Sequence, residues 1–171
     1  MIRSEQKLAN LSALLDKDNN ILITQAIKLL REELPFEGAI GLLAACYDKT
    51  DDSSVRKTIE GFMNDIKDQS ACAEVINEIK KQWKADTISM LVSSCWQSGL
   101  NYSEFSRDLT DVFLKGDYIT AIECLTVIEE SVDDLTRNTR DDLIKLIEDA
   151  PLSPVPEKRP LVLELISILN R

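Results

Sequence analysis

Apolar residues recur along the chain at the three-and-four spacing of a helix face, and almost nowhere at the alternation of a strand. Leu8, Leu11, Leu14 and Leu15 make the first stripe. Asp18 and Asn19 stand at a cap position ahead of Ile21, Leu22, Ala26, Ile27, Leu29 and Leu30, a wide apolar face. Pro35 marks a break. Ala39, Ile40, Leu42, Leu43 and Cys46 follow, ended by a polar turn over 48–52. Asp52 or Ser53 caps a fourth helix with Val55, Ile59, Phe62, Met63 and Ile66 on one face. Ser70 opens a fifth with Val75, Ile76 and Ile79. Asp86 opens a sixth with Ile88, Leu91, Val92 and Cys95, closed by Gly99. Ser103 opens a seventh with Phe105, Leu109, Val112 and Phe113, stopped by Gly116. Asp117 opens an eighth with Ala121, Ile122, Leu125, Ile128 and Val132. After a linker over 133–138, Thr139 caps a ninth with Leu143, Ile144, Leu146 and Ile147, and Asp141 and Asp142 suit its positive first turn. Four of the five prolines fall between Pro151 and Pro160, an extended connector, and Pro160 suits the first turn of a last helix with Leu161, Leu165, Ile168 and Leu169. The pattern predicts ten helices, no strand, and an all-α fold.

Two arrangements satisfy ten helices on short loops: a compact bundle, or a solenoid of stacked hairpins. The spacing of the caps favours the second. Asp18, Asp52, Asp86 and Asp117 open every second helix, at intervals of 34, 34 and 31 residues. A hairpin of that length buries its apolar face only by stacking on the next.

The stretch Ala39–Ile66 carries an apolar helix, an Asp turn, Val55-Arg56 at the start of the next helix, and apolar residues every three or four thereafter. In this it resembles the HEAT/armadillo-like helical repeat family. Leu8–Leu30 and Phe105–Ile128 are similar, with Ile21-Leu22 and Ile119-Thr120 in the Val-Arg slot; the Asp86 unit has Ser89-Met90 after Ile88. The tetratricopeptide signature, which shares the period, is absent. The resemblance implies an α-α superhelix, a short right-handed solenoid of about five antiparallel hairpins. Residues 1–171 then form a single domain, with four HEAT-like hairpins over 4–132. An irregular capping hairpin follows over 139–171, with its Pro-rich connector at 150–160.

In such a family the second helix of each hairpin lines the concave face. Helical phase then places Thr24, Lys28 and Arg31 on a ridge, followed by Arg56, Lys57, Glu60 and Asn64. Ser89, Ser93 and Gln97 continue it, with Trp96 at the edge of the apolar stripe, and Glu123, Thr126 and Glu130 end it. A solvated helix face would carry the same residue types. Trp83, Trp96 and Tyr102 cluster in sequence; they serve either as packing between repeats or as binding anchors.

Composition narrows the chemistry. With 171 residues the chain can bury roughly 70% of its unfolded surface. Net charge is −10, from 20 basic and 30 acidic residues, which argues against nucleic acid or an anionic membrane as partner. Residues 86–171 carry most of the excess, so a partner with a basic segment is steered toward that half. There is no histidine, which removes Ser-His-Asp and Cys-His catalysis. Asp16-Lys17-Asp18-Asn19-Asn20 starts like a calcium loop, but Ile21 and Ile27 stand where Gly and Glu are needed. The pairs Asp51-Asp52, Asp133-Asp134 and Asp141-Asp142 are sequence neighbours and point apart on a helix. Cys46, Cys72, Cys95 and Cys124 lie 26, 23 and 29 residues apart, so they read as buried thiols rather than metal ligands. Cys72 alone falls in the first turn of a helix, where the dipole could activate it. Polar residues interrupt the N-terminal stretch, and no apolar run reaches membrane length, so the expected location is cytoplasmic.

These features lead to a non-enzymatic scaffold or adaptor that binds a protein or peptide on the ridge and needs no cofactor. The chain would be a monomer, or a weak homodimer through a solenoid end. A small acidic immunity- or antitoxin-type inhibitor of a basic protein is the alternative. A HEAT-like enzyme is the third reading.

Overall fold

The computed structural model describes residues 2–33, 36–151 and 155–171. Pro35, assigned to the first break, lies outside them, as do Leu152–Pro154 of the proline connector. The described residues hold ten helices, and the protein is all-α. They are α1 (Glu5–Leu15), α2 (Asn20–Leu30), α3 (Ala39–Lys49), α4 (Ser53–Asn64), α5 (Cys72–Ile79), α6 (Ala85–Gln97), α7 (Ser106–Lys115), α8 (Tyr118–Ser131), α9 (Arg137–Glu148) and α10 (Lys158–Leu169). No helix among the described residues is long and apolar enough to cross a membrane.

Several helix starts differ from the expected ones, each for a local reason. Asn19 rather than Asp18 caps α2; its side-chain oxygen accepts from the Ile21 and Leu22 N–H groups at 3.1 Å. Asp68 precedes a 3₁₀ turn over Gln69–Ala71 that leads into α5, so Ser70 is inside the turn it was expected to open. Ser103 likewise opens a 3₁₀ turn ahead of α7. Thr136, not Thr139, caps α9 and shortens the linker. Asp52 and Asp117 do cap α4 and α8 through their carboxylates.

The absence of strands needs one correction. Two residues, Ile2–Arg3 (β1), pair in parallel with Phe36–Glu37 (β2), Ile2 opposite Phe36 and Arg3 opposite Glu37. These partners are 34 residues apart, the interval of the helix caps. The segments ahead of α1 and α3 lie side by side, and a period-2 pattern of two residues is too short to read in advance.

The contacts divide the chain into two compact units, Met1–Leu100 and Asn101–Arg171. Within the first, α1, α3 and α5 pack as one row and α2, α4 and α6 as another, while each hairpin closes between the rows. Ile27, Leu43, Val55, Ile59 and Leu91 are completely enclosed at its centre. Within the second, α7 packs on α9 and α8 on α10, around Leu109, Phe113, Ile128, Leu143, Leu165 and Ile168.

Polar contacts between neighbouring hairpins of the first unit repeat the same interval. Asn20 donates to Asp52 and Asn64 to Gln97, 32 and 33 residues on. Two helix starts lack a capping side chain of their own and borrow one across this interval. Gly38, in the left-handed region at φ 95°, precedes α3, and Glu74 of α5 accepts from the Gly38 and Ile40 N–H groups at 3.0 and 3.1 Å. Lys84 precedes α6, and Asp48 accepts its N–H and the Thr87 hydroxyl, each at 2.8 Å. Asp86, expected as that cap, lies in the first turn and binds Arg56 instead.

The apolar face of α2 is narrower than expected. Ile23, Ala26, Ile27 and Leu30 are buried, whereas Ile21 and Leu29 are 71% and 62% exposed and Leu22 is also outside. Within its unit α2 has α4 on one flank only. In α10, Leu165, Ile168 and Leu169 are enclosed while Leu163 faces outward, so only part of its apolar circumference is used.

Candidate functional site

The second helices α2, α4 and α6 of the first unit stand side by side and, with Arg31 just past the end of α2, carry eleven of the fourteen ridge residues. Lys28 and Lys57 are exposed on it. Arg31 donates to the Gly61 carbonyl at 3.3 Å and forms an ion pair with Asp65, tying α2 to the end of α4.

Arg56 is the most engaged of the set. Its Nε donates to the Thr50 carbonyl at 2.8 Å and its Nη1 to Asp86 at 2.6 Å; the guanidinium lies 4.7 Å from the centre of the Tyr47 ring. The bond to Asp86 holds its pKa above the ordinary value. Tyr47 donates its hydroxyl to Glu60 at 2.8 Å. Burial first, and then this bond to a carboxylate, push its pKa up to about 12. Asn64 donates to Gln97 at 2.6 Å, and Gln97 donates to Ser93 at 2.8 Å. Arg56 and Asn64 therefore tie α4 to α6 of the next hairpin through Asp86 and Gln97, while Glu60 closes its own hairpin through Tyr47 and Ser93 bonds within α6. Trp96 is half-buried on α6.

The last three ridge residues belong to the second unit. On α8, Glu123 and Thr126 are half-buried, Thr126 bonding back to the Ile122 carbonyl, and Glu130 is exposed.

Beside the ridge is a groove of about 550 Å³, walled by the ends of α2 and α4 and the starts of α3 and α5. Its floor is apolar, with Phe36, Ile40, Phe62 and Ile66, and its rim is charged, with Arg31 and Lys67 of one sign and Glu33, Asp65 and Asp68 of the other. Phe62 and Ile66, expected in the core, are half-buried because they form this floor.

The other singled-out residues are occupied inside the fold. Trp83 donates its indole N–H to the Glu78 carbonyl at 3.0 Å. Tyr102 is buried, its ring 6.3 Å from that of Phe105. Cys72 lies in the first turn of α5 but is buried, and its sulfur accepts from Gln69 at 3.3 Å. Cys95 and Cys124 are enclosed; Cys46 is only half-buried, and burial pushes its thiol pKa up. Among the described residues no three Cys, Asp or Glu side chains converge as a metal set.

Glu78 and Lys158, both buried, and the half-buried Glu74 and Asp48 carry polar contacts that no motif marks. The signal available for Glu74 and Asp48 was their offset of one repeat from the helix starts they cap. Lys158 is 2% exposed, and its ammonium donates to the carbonyls of Phe113, Leu114 and Gly116 at 2.8, 3.0 and 2.8 Å. It closes the C-terminal end of α7, and burial pulls its pKa below the usual lysine value.

The carboxylates set the response to acid. Burial raises the Glu74 pKa above 4.5, against the pull of the Gly38, Ile40 and Gly41 N–H groups, and the charge of Glu78 adds to the rise. The folded state then holds the Glu74 proton more tightly than the unfolded chain, so its contribution to stability grows as pH falls from 7 through the raised value. Asp52 and Asp68 run the other way. Hydrogen bonds from the starts of their helices hold them below 3.8, and the stability they supply is lost as pH falls through those lower values. The urea midpoint should rise from pH 7 to mildly acidic pH and fall again near pH 3. Glu74→Gln should remove the rise; a wild-type midpoint that falls steadily from pH 7 would show that Glu74 does not govern this range.

The chain matches no family model, no curated protein and no solved structure.

Proposed function

We propose that this protein is a non-enzymatic interaction scaffold or adaptor, a short right-handed solenoid of HEAT-like hairpins that takes a protein or peptide along its second helices. The observation that carries the reading is the groove of about 550 Å³ beside α2 and α4, apolar in its floor and charged at its rim. Such a surface accepts one apolar side chain of a partner segment while the rim pairs with flanking charges. The cross-links made by Arg56, Asn64 and Gln97 support it in a second way. They hold neighbouring helices in fixed positions, so a partner meets a surface that needs little ordering on binding.

The test is site-specific photo-crosslinking in cells, with the reactive residue placed at Lys57 on the ridge, at Ile66 in the groove, and at Glu148 on α9 as a control. One and the same protein captured from Lys57 and Ile66, and not from Glu148, is the expected result. The binding should then be lost in Ile66→Asp with the helical content unchanged. Capture from Glu148 alone, or equal affinity of Ile66→Asp, would overturn the ridge-and-groove assignment.

A further inference from the structure

A second groove, of about 620 Å³, runs over the other row of helices in the first unit. It is lined by α1, α3 and α5, and its charged side chains are Glu5, Glu37, Glu74, Glu78 and Lys81: four carboxylates against one ammonium. Two of these carboxylates are set into the fold rather than waving from it. Glu78 is 5% exposed. Its carboxylate sits over Gly41 of α3, where a Cβ would stand 2.8 Å from Glu78 Oε1. The absent side chain at Gly41 is what admits the charge between α3 and α5.

Glu78 and the half-buried Glu74 each have one oxygen used and one left over. Glu78 Oε1 accepts from Lys81 Nζ at 2.6 Å, while Glu78 Oε2 is buried with no hydrogen-bond partner among the described residues. Glu74, one turn earlier on the same face, spends Oε1 on the start of α3, and its Oε2 is likewise buried and unpartnered. A buried carboxylate oxygen without a donor is costly, and native structures rarely leave two side by side without a use for them. Lys81 does not close the account: its side chain is 56% exposed and reaches only one of the four oxygens. No third Cys, Asp or Glu completes a metal set among the described residues. Two carboxylates with open lone pairs instead match a group that brings several N–H donors at once.

We propose that this groove binds an organic cation, an ammonium or guanidinium group that takes the place of Lys81 beside Glu78 and Glu74, the side chains shifting so that the two oxygens enclosed in the free protein meet its N–H donors. The groove is larger than one such group, which fits a cation carried on a chain, either a polyamine or a basic side chain of a partner. The site lies on the row of first helices and does not depend on the ridge having a partner.

The experiment titrates the full-length protein with methylguanidinium, spermidine and a capped arginine tripeptide at constant ionic strength, read by calorimetry and thermal shift. Wild type is expected to bind and to gain Tm. Glu78→Gln should weaken binding about tenfold or more, because a charge-assisted bond becomes a neutral one. Its Tm without probe should be equal or higher, since an amide buries no charge. Lys81→Gln, which removes the resident cation, should tighten binding severalfold. Glu32→Gln, an exposed carboxylate outside both grooves, should change nothing. Tighter binding of the tripeptide than of methylguanidinium assigns the site to a partner's side chain; spermidine binding alone assigns a free polyamine. No binding of any probe to wild type, or equal binding by Glu78→Gln, overturns the proposal.

Discussion

Lys158→Met should lower the stability of the protein by about 3 kcal/mol. Methionine fills much of the same volume, so the loss comes from hydrogen bonding rather than from a cavity. In the native structure the Lys158 ammonium serves three carbonyls, those of Phe113, Leu114 and Gly116, at the end of α7. These are among the acceptors a helix leaves unpaired at its C-terminus, and here they are covered by α10 rather than by water. Each buried acceptor left without a donor costs about 1–3 kcal/mol, and relief from burying the ammonium offsets part of that. The measurement is the urea midpoint at pH 7, with the slope of the transition as the check that the same surface unfolds. An unchanged midpoint would mean that water reaches the three carbonyls once the amine is gone.

Ile59→Ala should cost about 3–4 kcal/mol, whereas Ile21→Ala should stay within about 0.5 kcal/mol. Both are isoleucines on second helices, and both sit on an apolar stripe when only the sequence is read. Ile59 is completely enclosed, on a helix that touches α2, α3 and α6 together. Truncating it removes buried methylene groups and leaves a cavity that three helices cannot all close. Ile21 is 71% exposed, so truncation there changes little that folding had taken out of water. Urea unfolding of the two variants side by side checks both values, and equal losses would place Ile21 in a buried contact.

This pair also marks the limit of the periodicity. The existence of each helix is a local property, carried by the three-and-four spacing and by caps such as Asp52 and Asp117, whose capping hydrogen bonds reach only two or three residues. Which edge of a wide apolar stripe is buried is not local. In α2 the stripe spans Ile21 to Leu30, and the flank that faces α4 decides that Ile27 is enclosed and Leu29 is not. Phe62 and Ile66 show the same thing at the far end of α4, where they floor a groove instead of joining the core.

The polar chemistry was less legible still. Arg56 stood out as the match to a repeat motif, and the phase placed it on the ridge; its engagement with Asp86, Thr50 and Tyr47 came only with the neighbouring hairpins in place. Glu74, Glu78 and Lys158 looked like ordinary helix-surface charges. Each meets partners on another helix, 34 to 45 residues away for Glu74 and Lys158, and for Glu78 across the gap left by Gly41. No local pattern records such a meeting.

By itself, the sequence determined that this chain is all-α, where its helices run, and at what interval they recur, because helix formation and capping are settled within a turn or two of each residue. Tertiary structure alone decided which face of α2 is buried, that two helix starts are capped from a neighbouring hairpin, and that Glu78 and the Lys158 ammonium are enclosed with Glu74 half-buried. Those outcomes depend on which surfaces are brought together, and packing distributes that information over residues distant in the chain.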